Sequence, residues 1–320
     1  MKKVKIGIVG ATGLVGEKVI KILCEENLIE NIDLHLISSE KSAGKRIFVN
    51  GLEYRIFKLD ETCLNFNLDY VIFSAGDDVS RDWVERFVNS GACVIDNTNA
   101  FRRCENVPLV VPEINFNLVS EETKIIANPN CSTIQLVVVL DRLKKLSNIS
   151  KVIVSTYQSV SGAGKNALLE LSNNQNYVFE KGIRNNIIPK IGGIDENGNC
   201  TEEDKIVFET NKILNDNIDV IATTVRVPIC FCHGESVFVE FENDVDIEEV
   251  KKVLDCEYIK FSENELFYPT ECVDTDYTYV CRLRKFKEKE FGMFILADNL
   301  RRGAAFNAVQ ILKNIINSTK

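Results

Sequence analysis

The first half of the chain consists of short apolar segments that alternate with amphipathic ones. Val4 to Val9 predicts a buried strand, Leu14 to Glu26 an amphipathic helix, and Asp33 to Ser38 a second strand. Asp69 to Ala75 and Cys93 to Asp96 predict two more buried strands. Because strands that alternate with helices form a parallel sheet, this half predicts an α/β domain of the Rossmann type, which binds a dinucleotide.

The second half follows a different pattern, with longer strands and fewer helices between them. Strands are predicted at Lys151 to Gln158, Val220 to Val227 and Glu235 to Phe241, and a hairpin at Tyr277 to Arg284 and Gly292 to Ala297. Helices are predicted at about residues 166–173, 202–214, 246–254 and 304–316. We therefore expect an α+β domain with a largely antiparallel sheet. The expected division assigns residues 1–128 with 300–320 to the dinucleotide-binding domain and residues 129–299 to the second domain.

Composition and charge exclude several classes of protein. With 320 residues and a formal net charge of -9, the chain is long enough for two domains, and nucleic acid is not expected as its main partner. The longest apolar run, Leu136 to Leu140, is far shorter than a membrane span, and the lysines at the start lead directly into a strand, so neither membrane insertion nor a signal peptide is expected. Eleven scattered cysteines predict reduced thiols in a cytoplasmic protein. No metal site is expected, because Cys230-Phe231-Cys232-His233 lacks a second pair at zinc-like spacing.

A glycine-rich turn joins the first strand to the first helix. Gly10 to Gly16 has the spacing G-x-x-G-x-x-G, and in this position such a turn holds a dinucleotide pyrophosphate at a helix N-terminus. The alternative is a turn that only eases the packing of helix on strand. After the second strand, Lys41 between hydroxyl residues favours the 2′-phosphate of NADP, whereas Glu40 favours the ribose hydroxyl of NAD. NADP is preferred, and NAD stays open.

Cys131 occupies the most reactive setting of any cysteine in the chain. Pro129 cannot extend a helix from upstream, and Asn130 is a residue type that caps helix starts, so a helix is expected from Cys131 to about Leu143. A thiol at that end of a helix is stabilised as thiolate. The alternative is a buried structural cysteine. Of the two histidines, His35 lies inside a predicted strand, which leaves His233 as the candidate proton shuttle for a cysteine nucleophile.

Two polar segments follow predicted parallel strands. Ser74-Ala75-Gly76 and Asn97 to Arg102 come at carboxyl ends of strands, where ligands gather in such sheets. Arg102 is therefore a candidate anion-binding residue, and a solvated loop arginine is the alternative.

Taken together, the motifs resemble those of the aspartate-semialdehyde dehydrogenase family, of the type whose catalytic segment reads N-x-N-C-S-T. The matching segments are Gly7 to Gly13, Ser74 to Gly76, Asp96 to Arg102, Val111 to Asn115, Asn128 to Thr133, Thr156 to Gly164, Glu209 to Lys212, Arg226 to His233 and Asp298 to Ala305. They occur in the family's order across nearly the whole chain.

The resemblance implies roles for individual residues. Cys131 would be the nucleophile that forms an acyl-thioester, His233 the general acid/base, and Gln158 the residue that orients the substrate. The substrate-binding residues would be Arg226 for the α-carboxylate, Glu209 for the ammonium group, Arg102 and Lys212 with Asn97 for the phosphate, and Asn130. The cofactor-binding residues would be Gly10, Thr12, Gly13, Leu14 and Val15 at the pyrophosphate, Ser39, Lys41 and Ser42 at the 2′-phosphate, Ser74, and Ser161, Gly162 and Asn299 near the nicotinamide. The family has arginine where this chain has Lys41 and usually a small residue in place of Glu40, which permits NAD as a weaker second cofactor.

The implied reaction is the NADPH-dependent reductive dephosphorylation of L-4-aspartyl phosphate to L-aspartate 4-semialdehyde, by a homodimer that pairs through the second-domain sheet and residues 174–200. N-acetyl-glutamyl-phosphate reductase is the nearest alternative, but it needs no ammonium partner such as Glu209 and usually has glycine in place of Asn130. Glyceraldehyde-3-phosphate dehydrogenase does not fit the surroundings of Cys131. A catalytically silent binding protein is disfavoured, since Cys131, Gln158, Arg226 and His233 occur together.

Overall fold

The computed structural model describes residues 3–173 and 178–318, which form two compact units. One unit comprises the chain up to Pro129 together with the residues from Ala304 onward, and the other comprises Asn130–Gly303. The strands are β1 (Val4–Val9), β2 (Ile32–Ser38), β3 (Arg46–Val49), β4 (Leu52–Lys58), β5 (Tyr70–Phe73), β6 (Cys93–Asp96), β7 (Ile125–Ala127), β8 (Ile149–Gln158), β9 (Asp219–Arg226), β10 (His233–Phe241), β11 (Ile259–Phe261), β12 (Thr278–Lys287) and β13 (Glu290–Ala297). The α-helices are α1 (Leu14–Glu25), α2 (Asp77–Asn89), α3 (Pro112–Asn115), α4 (Cys131–Lys144), α5 (Lys165–Asn173), α6 (Thr201–Leu214), α7 (Ile247–Leu254), α8 (Pro269–Cys272) and α9 (Asn307–Ser318).

The first unit is built on a sheet with the strand order β3-β4-β2-β1-β5-β6-β7. Its strands pair in parallel from β4 to β7, as the alternation of strands and helices predicted. Fully buried β-branched and leucine side chains of β1 and β2 pack with α1 and α9 in one core, and Phe73 and Phe87 belong to a second core with α2. The predicted Rossmann-type sheet is confirmed, and it brings the carboxyl ends of β1, β5 and β6 to one edge.

The pattern did not predict the antiparallel hairpin of β3 and β4 at the edge of this sheet. Both strands are largely exposed and carry charged residues, so the apolar signal of a buried strand is weak. The sequence does contain a hairpin signal, the dipeptide Asn50-Gly51. Both residues have positive φ angles at the turn, 48° and 77°, which this pair of residue types adopts readily.

The second unit contains a mixed sheet with the order β11-β12-β13-β10-β8-β9. The predicted largely antiparallel sheet is confirmed by its three central strand pairs, whereas β8 pairs with β9 and β11 with β12 in parallel at its two edges. The β8–β9 pair is parallel because helices α5 and α6 lie in the connection and carry the chain back to the same end of the sheet. The mixture of α-helices and this sheet confirms an α+β second domain.

Two segments differ from their predicted conformation. His233 was expected in a glycine-flanked loop, but it is the first residue of β10 and pairs with Ala297 of β13. The predicted helix from Ala304 begins instead as a π-helical segment, Arg301–Phe306, and becomes α-helical at Asn307. The predicted subunit-contact region of residues 174–200 lies partly outside the described residues.

Candidate active site

The thiol of Cys131 lies at the N-terminus of α4, as predicted. Asn130 is the N-cap residue, and its side-chain oxygen accepts hydrogen bonds from the N–H groups of Ser132 and Thr133, at 2.9 and 3.3 Å. Cys131 is partly exposed, whereas the helix behind it is buried over most of its length. Gly303 passes so close that a Cβ there would lie 2.9 Å from the Cβ of Cys131. The local sequence thus places a thiol where the helix dipole favours the thiolate.

Two carboxylates of α6 hold the residue before the thiol. The backbone N–H of Asn130 donates to Oε2 of Glu209 at 2.6 Å, and its side-chain amide donates to Oε1 of Glu202 at 2.8 Å. Both glutamates are almost fully buried. Burial raises the pKa of Glu202, but the Lys205 charge and the Asn130 amide outweigh it, so the pKa is lowered overall and the group is ionised.

Gln158 and Arg226 end two neighbouring strands beside these carboxylates. They are paired in the parallel register of β8 and β9, and both are buried. The Gln158 amide nitrogen lies 3.3 Å from Oε1 of Glu202. Burial lowers the pKa of Arg226, whereas the negative charges of Glu202 and of a Cys131 thiolate oppose this. Arg226 is therefore a buried cation whose charge is favoured by the negative charges of Glu202 and of a Cys131 thiolate.

His233 is fully buried and neutral. Its Nδ1 accepts a hydrogen bond from the backbone N–H of Ser159 at 3.1 Å, which leaves the ring proton on Nε2. Burial and the nearby Arg226 charge lower the pKa of His233 to about 3. Gly162 lies against both residues, since a Cβ there would lie 3.5 Å from Nε2 of His233 and 2.9 Å from Nη1 of Arg226.

Ser161 and Asn299 complete the group around the histidine. The Asn299 oxygen accepts hydrogen bonds from the hydroxyls of Ser159 and Ser161 and from the N–H of Cys232, at 3.0, 3.2 and 3.0 Å. The second unit therefore brings together residues that were predicted from distant segments of the sequence, namely Cys131, Asn130, Gln158, Ser161, Gly162, Glu209, Arg226, His233 and Asn299.

The glycine-rich turn of the first unit fits a dinucleotide phosphate. Gly13 is the N-cap residue of α1 and provides no side-chain cap, which leaves the backbone N–H groups of the first turn, at Leu14 and Val15, for an anion. Gly10 has a φ of +87°, and a Cβ there would lie 2.5 Å from the carbonyl oxygen of Ser74. Only glycine fits at this position, because a side chain would collide with the backbone of Ser74, just beyond the end of β5.

Several hydroxyl groups lie close together at the end of β2, the segment that was predicted to distinguish NADP from NAD. The Thr12 hydroxyl lies 2.7 Å from that of Ser38 and 3.1 Å from that of Ser42. Ser39 and Lys41 follow on the exposed surface. The Glu40 carboxylate forms an ion pair with Lys58, which raises the pKa of Lys58 through their hydrogen bond and charge attraction.

Arg102 and Asn97 are adjacent in the first unit. Nη2 of Arg102 donates to the carbonyl of Asn97 at 2.8 Å, and its Nε donates to the carbonyl of Asn128 at 2.9 Å. Arg102 is largely buried. It is thus a fixed arginine at the carboxyl ends of the parallel strands and not a solvated loop residue.

Sequence reasoning missed Glu202 and Lys205. Nζ of Lys205 lies 3.1 Å from Oε2 of Glu202, and Lys205 is mostly buried. Lys212, by contrast, lies over the ring of Phe208, 5.9 Å from its centroid. A signal was present, because Glu-x-x-Lys occurs twice on α6, and the two copies are two helical turns apart.

The described part of the chain contains neither a metal-binding cluster nor a membrane-spanning helix. Over residues 3–173 and 178–318, no group of three or more His, Cys, Asp or Glu side chains is arranged to hold a metal ion. In the same ranges, every helix is too short or too polar to cross a bilayer.

A Rossmann-type unit with a phosphate-binding turn, and an α+β unit with a thiol at a helix N-terminus and a buried histidine, are typical of the class of nicotinamide-dependent dehydrogenases. Comparison with known families agrees. Residues 5–122 match the family described as semialdehyde dehydrogenase, NAD binding domain, and residues 140–302 match semialdehyde dehydrogenase, dimerisation domain.

Whole-chain comparisons narrow this class. The chain is 40% identical to an aspartate-semialdehyde dehydrogenase of Aquifex aeolicus, with 98% of each chain covered, and 38% identical to that of Bacillus subtilis, with 97% and 96% covered. It is also similar to the crystal structure of aspartate semialdehyde dehydrogenase II complexed with ASA from Vibrio cholerae, with a TM-score of 0.95, 36% identity and 99% of each chain covered. A Candida albicans structure of this enzyme with NADP has a TM-score of 0.77 at 26% identity, with 97% and 98% covered. The chain belongs to the aspartate-semialdehyde dehydrogenase family.

Proposed function

We propose that the protein reduces L-4-aspartyl phosphate to L-aspartate 4-semialdehyde with NADPH, through an acyl-thioester on Cys131. The observation that carries this proposal is the start of α4, where Cys131 follows an N-cap residue, Asn130, whose N–H and side-chain amide are held by Glu209 and Glu202. The same unit contains the buried side chains of Arg226 and His233. A thiolate nucleophile, a hydrogen-bond donor and a pair of opposite charges are what an amino-acid acyl phosphate requires.

Substrate recognition follows from the charges of the site. Arg226 offers a guanidinium for a carboxylate, and its Nε has no hydrogen-bond partner among the described residues. In Glu202 both carboxylate oxygens are occupied, Oε1 by the amides of Asn130 and Gln158 and Oε2 by Lys205. In Glu209, Oε2 holds the N–H of Asn130. We therefore keep Glu209 for the ammonium group, and Arg102 and Lys212 with Asn97 for the phosphate, as the resemblance implies.

The chemical steps use Cys131 as the nucleophile and His233 as a hydrogen-bond donor. The Cys131 thiolate attacks the acyl carbon while the bond to phosphate breaks, and the Nε2–H of neutral His233 is available as a hydrogen-bond donor to the acyl oxygen. Gln158 holds the acyl group beside the sulfur, and Lys212 and Arg102 neutralise the departing phosphate. When bound, NADPH supplies the hydride that reduces the thioester. The oxyanion of the resulting thiohemiacetal accepts the same hydrogen bond, and it collapses as the carbon–sulfur bond breaks, which releases the aldehyde and the Cys131 thiolate.

NADP is the proposed cofactor, with NAD as a weaker second one. The hydroxyl groups of Thr12 and Ser42 and the charge of Lys41 suit a 2′-phosphate. In the sequence, the charge of Glu40 favoured NAD. In the structure, the Glu40 carboxylate forms an ion pair with Lys58. We propose residues 1–128 with 300–320 as the NADP-binding domain and residues 129–299 as the catalytic and dimerisation domain. We also propose the cytoplasm as the location, because none of the eleven cysteines, all of which the structure describes, forms a disulfide.

The proposal is tested by the reverse reaction. Purified protein is mixed with aspartate semialdehyde and phosphate, and the reduction of NADP and of NAD is followed side by side. We expect phosphate-dependent reduction that is faster with NADP, and almost none with N-acetyl-glutamate semialdehyde, because that substrate has no ammonium group for Glu209. Cys131→Ala should abolish turnover, whereas Cys104→Ala, an exposed thiol in the first unit, should not. Turnover by Cys131→Ala, or equal rates with the two aldehydes, would contradict the proposal.

The cofactor preference has its own test. Lys41→Ala should raise KM for NADP about tenfold, because one charged contact to the 2′-phosphate is lost, and should leave KM for NAD unchanged. Lys45→Ala, a nearby exposed lysine, is the matched control. Equal changes for both cofactors would remove Lys41 from the phosphate site.

A further inference from the structure

Glu235 is a buried carboxyl group that the proposed chemistry does not use. It lies on β10 two residues after His233, so the two side chains share one face of the sheet. Thr156 of β8 is its direct partner in the antiparallel register, and Gln158 lies two residues further along β8 on the same face. Glu235 and Thr156 are both completely buried. The carboxyl group therefore belongs to the buried polar layer that contains two of the proposed catalytic residues.

Gln135 connects this layer to the helix that carries the thiol. It lies on α4 one turn after Cys131, and it is completely buried. Its side-chain nitrogen donates to the backbone carbonyl of His233 at 3.4 Å. The same amide interacts with the carboxyl group of Glu235. Gln135 thus contacts the histidine-bearing strand at its first residue and two residues further on.

The hydrogen bonding at this pair requires a proton on Glu235. Burial raises the pKa of Glu235 well above its ordinary value, and the Gln135 amide opposes this only through a poorly aligned hydrogen bond. Among the described residues, neither carboxyl oxygen of Glu235 nor the side-chain oxygen of Gln135 has a well-aligned donor. Three buried acceptors without a well-aligned donor are costly, and a carboxylic O–H on Glu235 provides one such donor, to the side-chain oxygen of Gln135.

We propose that neutral Glu235 and Gln135 form a buried hydrogen-bonded pair that sets the position of His233 relative to Cys131, which makes Glu235 a positioning residue. This inference rests on the proposed roles of Cys131 and His233. Strand β10 delivers the imidazole and α4 delivers the thiol, and the pair joins these two elements behind the reactive groups. A small misplacement of groups that act on the same reacting atoms lowers the turnover rate more than it lowers affinity.

The test compares two replacements of nearly equal size in the full-length protein. Glu235→Gln keeps a neutral side chain with donor hydrogens, so kcat should stay within about threefold of the wild type. Glu235→Met removes the polar group, so kcat should fall about tenfold to a hundredfold with KM for aspartate semialdehyde unchanged. The pH profile of Cys131 alkylation by iodoacetamide should shift in Glu235→Met and not in Glu235→Gln.

Val237→Ala is the matched control for disturbed packing, because Val237 is buried two residues further along the same strand. It should lower Tm without changing kcat or the alkylation profile. If Glu235→Met does not fold, Gln135→Met removes the other partner and should give the same loss of kcat.

Two outcomes would overturn the inference. Loss of kcat in Glu235→Gln equal to that in Glu235→Met would mean that an ionised carboxylate is needed, and wild-type kcat in Glu235→Met would mean that the pair positions nothing. Either result with an inactive Cys131→Ala leaves the proposed function intact. Turnover by Cys131→Ala would instead contradict the proposed function itself.

Discussion

Glu202 and Glu209 illustrate how closely two residues can match in sequence and differ in surroundings. They are seven residues apart on α6, so both side chains face the same direction, and each is followed by a lysine three residues later. In the structure, Glu209 holds the backbone of Asn130, whereas Glu202 faces the amides of Asn130 and Gln158. The two glutamates are distinguished by the residues outside α6 that contact them.

The assignment of the ammonium group to Glu209 predicts different effects of two identical substitutions. Glu209→Gln should raise KM for aspartate semialdehyde about tenfold or more, because a charge-assisted hydrogen bond to the ammonium group is lost. Glu202→Gln keeps an acceptor for the amides of Asn130 and Gln158 and should change KM about twofold or less. Steady-state kinetics measure both. A large KM change in Glu202→Gln alone would move the ammonium group to Glu202.

The burial of His233 predicts how stability depends on pH. The pKa of His233 is lowered to about 3, whereas an unfolded histidine has a pKa of about 6.5. Below pH 6.5 the unfolded chain therefore binds a proton that the folded protein does not, and stability falls as the pH decreases towards 3. Above pH 6.5 both states are neutral at this residue, and it contributes no pH dependence.

Between pH 7.5 and pH 5, this residue should lower the free energy of unfolding by about 2 kcal/mol. The decrease should be smaller by that amount in His233→Asn, as measured by urea unfolding at the two pH values. Titrations shared by both proteins cancel in this comparison. The same decrease in wild type and variant would show that His233 is protonated in the folded protein at pH 5.

At the scale of single elements, the start of α4 was the clearest prediction. Pro129 and Asn130 stop one segment and cap the next, and these are local effects that do not depend on the rest of the fold. The helix begins at Cys131, as expected. The end of a strand, by contrast, depends on its partner strand. His233 belongs to β10 because Ala297 of β13 pairs with it.

The cap of α4 predicts a stability difference between two helices. Asn130→Ala should lower the free energy of unfolding by about 2 kcal/mol, because it removes both the cap and a buried hydrogen bond to Glu202. Asp246→Ala removes the exposed cap of α7, which bonds only the N–H of Glu248, and should cost about 1 kcal/mol or less. Urea unfolding measures the difference, and equal losses would contradict the added role of Asn130.

At the scale of the whole molecule, one face of the second sheet suggests assembly. Ile153 of β8 lies beside Ile221 of β9 and Phe238 of β10, and Tyr157 lies further along β8 on the same face. Ile153, Tyr157 and Ile221 are 41 to 47% exposed. A row of exposed apolar side chains is typical of an interface, and this segment matches a dimerisation domain. We propose that the protein is a homodimer through this face.

This proposal predicts a change of mass. The double substitution Ile153→Lys and Ile221→Lys places two like charges on the apolar row, and light scattering should show a decrease from about twice 36.1 kDa to 36.1 kDa. Phe48→Lys, at an exposed position of β3 in the first unit, is the control and should leave the mass unchanged. A dimer that persists in the double variant would place the interface elsewhere.

The sequence by itself determined the features that depend on local chemistry. These are the β–turn–α unit with Gly10 and Gly13, the capped helix that begins at Cys131, and the order of motifs along the chain. Periodicity and capping act over a few residues, so they can be recognised without a fold.

Only the tertiary structure decided which distant side chains meet. It brought Glu202 and not Glu209 to the amide of Gln158, paired Glu40 with Lys58, and buried His233 so deeply that it is neutral. Contacts between residues far apart in the chain, and the loss of water around them, are set by packing, and no short segment of sequence specifies either.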